Sequence, residues 1–248
     1  MNEIQRNNKL RLIARLDIKN DFVVKGINFE GLRKIGNPKD LALKYYKSGI
    51  DEIMYMDVVA SLYERNTITK YIKEAAKNIF VPLTVGGGIR NLDDIKDVLN
   101  SGADKVAINS AAIKSPDLIK QASDEIGSQS IIVSIEAKQI ESDKWEAYYD
   151  CGREKSGLNV LNWAQTSQNL GAGELLITSI DHEGMKKGMD MKLLKELRKF
   201  ITIPIIFGGG AGSINDIKKT IPEADAVALA SILHYNNLSI ENIRREIG

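Results

Sequence analysis

Val81-Pro82-Leu83-Thr84-Val85-Gly86-Gly87-Gly88-Ile89 is a short apolar, β-branched run that ends in three glycines, and a polar amphipathic segment follows from Asn91. That order of residues predicts a buried strand, a tight turn and a helix start. Glycine in such a turn lets backbone N–H groups close on an anion, and a helix N-terminus favours negative charge. A phosphate cradle and a plain chain reversal both fit this stretch taken alone. The pattern occurs twice, however. Ile203-Pro204-Ile205-Ile206-Phe207-Gly208-Gly209-Gly210-Ala211 repeats it 122 residues later. Gly102-Ala103-Asp104-Lys105-Val106-Ala107 returns as Glu223-Ala224-Asp225-Ala226-Val227-Ala228, and Gly49-Ile50-Asp51-Glu52 as Gly171-Ala172-Gly173-Glu174, at nearly the same offset.

A period of half the chain means two similar halves. Each half holds four strand–helix units of about 31 residues, and eight such units make a (β/α)8 barrel. The fold class is therefore α/β, a single (β/α)8 TIM barrel with a two-fold half-barrel repeat, expected as one domain over residues 1–248. A doubly wound open sheet is the other candidate, but it would not naturally give equal halves.

Composition narrows the function classes. Thirty-four Lys and Arg balance 33 Asp and Glu, so no charge bias points to nucleic acid or an anionic membrane. The single cysteine, Cys151, excludes an internal disulfide framework and fits a reducing compartment. No apolar run approaches bilayer-spanning length, and Met1–Asn8 is too polar for a signal peptide, so the cytoplasm is the expected location. Two histidines, His182 and His234, argue against a histidine-based metal site.

Taken in order, Leu10–Asp17 is the first expected strand, and its alternation turns Arg11, Ile13, Arg15 and Asp17 to one side. Inward arginines need acidic neighbours. Residues 18–37 form a long connection of the kind used as a lid or binding loop, and Lys25 within it either reaches a phosphate or stays solvated. Pro38 opens the first helix. Glu52–Asp57 is the second strand and 61–78 the second helix. Helix 91–101, strand 104–109 and a helix capped by Ser115-Pro116 complete the first half. In the second half, Ser130–Glu136 is the fifth strand, and 138–157 is an irregular or hairpin excursion. The remaining expected elements are helix 160–170, strand 174–179, helix 191–200, strand 203–207, helix 213–220, strand 226–230, a short helix from Ser231 and helix 238–247.

Asp17 and Glu136 fall at the C-terminal ends of the first and fifth strands, where barrel enzymes carry their chemistry. Their spacing of 119 residues puts them on opposite sides of one mouth. That is the layout of a general acid and a general base, or of two salt-bridged carboxylates. Gly208, Gly209 and Gly210 with Ser231 form one candidate phosphate site; Gly86, Gly87 and Gly88 with Asn109 and Ser110 form a second. Two such sites across one mouth imply a long substrate with a phosphate at each end.

These residues give the chain a resemblance along nearly its whole length to the cyclase subunit family of imidazole glycerol phosphate synthase, of histidine biosynthesis. The motifs that carry it are Leu16-Asp17-Ile18-Lys19, Val24-Lys25-Gly26, Gly49-Ile50-Asp51-Glu52, Asp57-Val58-Val59-Ala60-Ser61, Thr84–Ile89, Gly102–Asn109, Gly173–Asp181 and Gly208–Gly212. The resemblance implies a lyase/cyclase that uses ammonia from a glutaminase subunit on phosphoribulosyl-formimino aminoimidazole carboxamide ribonucleotide. The implied products are imidazole glycerol phosphate and aminoimidazole carboxamide ribonucleotide. It makes Asp17 and Glu136 the catalytic pair and Lys25 the lysine of a mobile first loop. Asp181 and Gly184 become further substrate contacts. Arg11, Glu52, Lys105 and Glu174 form a ring gating ammonia at the barrel's bottom, and Asp104 faces the glutaminase. No metal or organic cofactor is implied.

The chain also departs from that family. Glu136 replaces its usual aspartate, and Arg15 replaces a small cysteine. Glu183 and Met185 replace an aspartate and a threonine, and Gly208 a common serine. The expectation is that Arg15 pairs with Glu136 or Asp17, and that the guanidinium lowers the pKa of Glu136. The altered residues keep open a second function, a relative supplying ammonia to a saccharide amidotransferase; a third, a non-catalytic scaffold that activates a glutaminase, is opposed by the retained Asp17 and Lys25.

Overall fold

Alternation builds the barrel. In the computed structural model, which describes residues 9–59 and 68–248, Leu12, Ala14, Leu16 and Ile18 of β1 (Arg11–Lys19) face the surrounding helices. Ile13, between them, joins Met54, Ala107, Ile132, Leu176, Ile206, Ala226 and Ala228 in a separate apolar layer inside the barrel. A strand buried on both faces suits a parallel sheet covered by helices.

The further barrel strands are β4 (Glu52–Asp57), β5 (Leu83–Gly86), β6 (Lys105–Ile108), β7 (Ile131–Glu141), β10 (Glu174–Ser179), β11 (Ile205–Gly208) and β12 (Ala226–Leu229). With β1 they pair in parallel in the order β1-β4-β5-β6-β7-β10-β11-β12. The β1–β12 ladder, which sets Arg11 beside Ala226, closes the ring. The chain is a (β/α)8 barrel. Of the eight strands, β4 and β10 keep the expected bounds, and the others differ by a few residues.

Helices α1 (Pro38–Lys47), α2 (Thr69–Asn78), α3 (Leu92–Asn100), α4 (Ser110–Lys114), α5 (Asp117–Ile126), α6 (Val160–Asn169), α7 (Met191–Arg198), α8 (Ile214–Thr220), α9 (Ser231–His234) and α10 (Ile240–Ile247) run around it. Their starts are chemically marked. Asn37 accepts from the Lys39 and Asp40 N–H groups ahead of Pro38, and Ser213 and Asp216 form a reciprocal capping box. The expected cap at Ser115 is not formed. Ser115 instead ends α4 through its own N–H, and Pro116, already helical, precedes α5 without a side-chain cap. The start of the helix expected over 61–78, and the Ala60-Ser61 part of its motif, lie outside the described residues.

A second expectation is corrected. The connection after β1 is a β-hairpin, β2 (Phe22–Ile27) and β3 (Glu30–Gly36), antiparallel to the end of β1. Its tip, Asn28-Phe29, holds both residues at positive φ, as a tight two-residue hairpin turn requires. The end of β7 likewise continues into β8 (Lys144–Tyr149) and β9 (Glu154–Asn159). Each half-barrel thus opens with a long strand that rises above the rim into a hairpin.

Candidate active site

Each inward position of β1 lands in a different layer. Arg11 is at the bottom, where it bonds Glu52 and Glu174, the latter at 2.6 Å. Lys105 reaches Glu52 at 3.4 Å and Glu174 at 2.5 Å, which closes a ring of alternating charge. Opposite charges brought together there satisfy one another where single ones would be costly. Asp104 lies beside this end, with its carboxylate accepting from the Leu83 N–H at 2.8 Å.

Above the apolar layer sit Arg15 and then Asp17. Arg15 Nε donates to Asp17 Oδ1 at 2.8 Å, and Nη1 to Thr178 Oγ1 at 3.0 Å. Lys25 hangs from the hairpin β2–β3 into the mouth, its ammonium 3.1 Å from Asp17 Oδ2 and also bonded to Glu183. Both Asp17 oxygens are therefore occupied, and Asp17 is only 3% exposed. Burial alone would raise its pKa. Arg15 and Lys25 reverse that and hold the carboxyl well below the usual carboxylate range. Lys25 itself is raised, because Glu183 and Asp17 outweigh its own burial.

Glu136 meets the opposite fate. It is buried midway along β7, where the parallel pairing of the barrel gives way to the hairpin, and burial pushes its pKa up to about 7; Arg15 and the Gly152 N–H, which donates to Oε2 at 2.7 Å, pull the other way without prevailing. Of the two partners expected for Arg15, the geometry gives Asp17, and the expected lowering of Glu136 is overturned. A guanidinium engaged with another carboxylate does not offset the desolvation of Glu136. Two carboxyl groups at one mouth thus titrate far apart, Asp17 well below the usual carboxylate range and Glu136 at about 7, the kind of separation by environment that can divide an acid from a base.

Two cavities flank this centre. The larger, about 310 Å³, is lined by Gly87, Gly88, Asn109, Ser110, Lys114 and Glu136, among others. The smaller lies between Gly208–Ala211, Gly184 and Ser231. Both triple-glycine turns open on the same face of the barrel. Close approach explains the glycines. A Cβ on Gly87 would lie 2.1 Å from the Asp57 carbonyl oxygen, and one on Gly210 2.0 Å from that of Gly188. Gly184 is needed for packing as well, since a Cβ there would meet the Gly26 carbonyl oxygen at 2.3 Å.

Not every candidate gathers at the mouth. Asp181 lines neither cavity; its carboxylate accepts from the Gln139 N–H at 2.8 Å and is exposed. Ser110 bonds Asp150 at 2.8 Å, which places a carboxylate from the β8–β9 turn at the edge of the first glycine cradle. Sequence reasoning did not single out Thr178, Phe29, Asp150 or Gly152. Thr178 was accessible through its alternation with Glu174 and Leu176, whereas nothing in the local sequence marks Gly152 as a donor to Glu136. Among the described residues no three His, Cys, Asp or Glu side chains gather as a metal would require.

The family model described as "Histidine biosynthesis protein" matches residues 11–239. The chain is 50% identical over 207 residues to the imidazole glycerol phosphate synthase subunit HisF of Legionella pneumophila, covering 84% of this chain and 98% of the relative. It is 46% identical over 240 residues to that of Lactococcus lactis subsp. cremoris (strain SK11), covering 96% and 93%. With the Prochlorococcus marinus (strain MIT 9515) subunit the identity is 45% over 239 residues, covering 95% and 93%. The chain belongs to the HisF family. For a HisF-family chain the order of layers is informative: the charged ring and the triple-glycine turns occupy opposite ends of one apolar core. No described helix is long and apolar enough to cross a membrane.

Proposed function

We propose that this chain is the cyclase subunit of imidazole glycerol phosphate synthase. It takes ammonia released by a glutaminase subunit and converts phosphoribulosyl-formimino aminoimidazole carboxamide ribonucleotide into imidazole glycerol phosphate and aminoimidazole carboxamide ribonucleotide. The observation that carries this reading is the pair of carboxyls with widely separated pKa values, set between two glycine-built cavities suited to a phosphate at each end. Adding ammonia to a carbon centre and expelling an amine takes a proton from the incoming nitrogen and gives one to the departing nitrogen. Asp17, ionised, is the base. Glu136, which keeps its proton up to about pH 7, is the acid. Asp17 is covered in this state, so substrate must first draw Lys25 onto a phosphate, which frees Oδ2.

Ammonia would come from the opposite end, through the ring of Arg11, Glu52, Lys105 and Glu174, with the glutaminase docked there beside Asp104. Glutamine and the ribonucleotide are cytoplasmic metabolites, so this reading places the protein in the cytoplasm. The test uses purified protein, an ammonium salt and the ribonucleotide, with both products followed by chromatography. Turnover that is lost in Asp17→Asn is the expected result. A well-folded protein that forms a glutaminase complex yet makes neither product would overturn the assignment.

A further inference from the structure

Arg15 lines both cavities, the only residue that does so among those described. It is buried on the barrel axis and held from three sides. Asp17 and Thr178 accept from Nε and Nη1, and the Phe29 ring lies over the guanidinium, its centroid 5.7 Å from the central carbon. Phe29 occupies the left-handed region at φ 64, a conformation that a bulky side chain adopts only when its surroundings impose it. The tight turn that puts Phe29 there also sets its aromatic ring over the buried guanidinium, a third contact that helps fix it in place.

The partners of Asp17 are not equivalent. Lys25 is carried by a rim hairpin, outside the barrel strands, and is shared with Glu183. Arg15 is on the same strand as Asp17, two residues away, and is fastened to a second barrel strand through Thr178. We propose that Arg15 is a positioning residue of the reaction: it keeps Oδ1 of Asp17 throughout the cycle, so that Oδ2, once released by Lys25, faces the substrate as the proton acceptor. This rests on the functional reading above. The other ionisable groups around Asp17 are Lys25 and Glu183 on the hairpin side, Glu136 and Cys151 across the mouth, and His234 of α9. Among these, only Lys25 brings a second positive charge to Asp17, since burial lowers the pKa of His234 to about 4 and leaves it neutral.

The experiment uses Arg15→Gln, Arg15→Lys and Thr178→Val in the full chain. In the substrate-free protein, the Asp17 carboxyl is followed by its carbon-13 resonance, assigned through its absence in Asp17→Asn. In Arg15→Gln it is expected to titrate about one pH unit or more above wild type, and in Thr178→Val as in wild type. In turnover, Arg15→Gln should lose about 10- to 100-fold in kcat with KM changed less than about threefold, the pattern of an interaction used mainly in the transition state. Arg15→Lys should restore the titration but only part of kcat, because an ammonium cannot bridge Asp17 and Thr178 as the fork does. An unshifted Asp17 titration in Arg15→Gln, or a raised KM at unchanged kcat, overturns the proposal. If Arg15→Gln does not fold, Arg15→Lys and Thr178→Val decide: full kcat in both overturns it. Wild-type protein inactive on the ribonucleotide would refute the functional reading alone, since the titration arm needs no substrate.

Discussion

Replacing Glu136 by Gln should make the protein more stable and less active at once, and the gain in stability should appear only as pH rises. Glu136 has an ordinary value of 4.5, and burial lifts it to about 7 in the folded protein. Between those two values the unfolded chain has lost the proton and the folded protein still holds it. Stability therefore falls as pH rises through that window, because folding must take up a proton that is increasingly scarce. A gap of roughly 2.5 pH units at about 1.4 kcal/mol each gives about 3 kcal/mol lost by wild type above pH 7 and retained below pH 4.5. Glutamine has the same shape, does not titrate, and can still accept the Gly152 N–H through its amide oxygen. Denaturant unfolding at pH 4.5 and pH 8 should show Glu136→Gln gaining about 3 kcal/mol relative to wild type between the two, or about 6–12 °C in Tm for a chain of this size. The variant cannot donate a proton, so kcat should drop about 100-fold or more. A stability difference that is the same at both pH values would refute the assignment of a buried, protonated acid.

Three further outcomes are expected. Lys25→Met should raise KM for the bis-phosphorylated substrate and speed hydrogen exchange at the Asn28 N–H, which bonds the Glu183 carbonyl at 2.8 Å, because the hairpin β2–β3 loses its inward anchor; unchanged exchange would contradict that role. Gly87→Ala should cost both stability and substrate affinity, since its Cβ would meet backbone at 2.1 Å, while Gly208→Ser, with 3.5 Å to the nearest atom, should fold normally and bind inorganic phosphate at least as tightly; calorimetric titration separates the two. Asp150→Asn removes a negative charge from the edge of the first cradle while leaving a group for Ser110, and should tighten inorganic phosphate binding several-fold, an effect that fades at high salt.

The barrel was readable because period-two alternation and the half-chain repeat point the same way. Glu52–Asp57 is an apolar run closed by a carboxylate at each end, Glu174–Ser179 one opened by Glu174 and closed by Thr178-Ser179, and both fold within those bounds. The hairpin β2–β3 was not readable. Its turn puts Phe29 at positive φ, a conformation no phenylalanine advertises, and the ring so placed meets Arg15, fourteen residues earlier in the chain. The site was half legible. Spacing placed Asp17 and Glu136 at one mouth, but their protonation depends on which carboxylate the guanidinium faces and how dry the other one is. Neither is a property of local sequence. Asp181 shows the converse: a matching motif position whose carboxylate is engaged by the rim of the second hairpin.

The repeat itself explains why the two carboxyls need help to differ. Asp17 and Glu136 occupy equivalent places in two similar half-barrels, each where its strand leaves the barrel and rises into a hairpin. Left to that symmetry, both would meet the same surroundings and titrate alike, which serves neither an acid nor a base. The symmetry is broken two residues earlier on each strand, where the first half carries Arg15 and the second carries Ser134, both buried and both lining the mouth. A cation on one side makes Asp17 a permanent carboxylate. A small hydroxyl on the other leaves Glu136 with the field of Arg15, the Gly152 N–H and Asn109, which together do not offset its burial, so its pKa rises to about 7. It follows that Ser134→Arg should depress the pKa of Glu136 and move the alkaline fall of kcat/KM to lower pH, with rates compared per free ammonia rather than per total ammonium. A profile that keeps its fall near pH 7 in that variant would mean the acid is some other group.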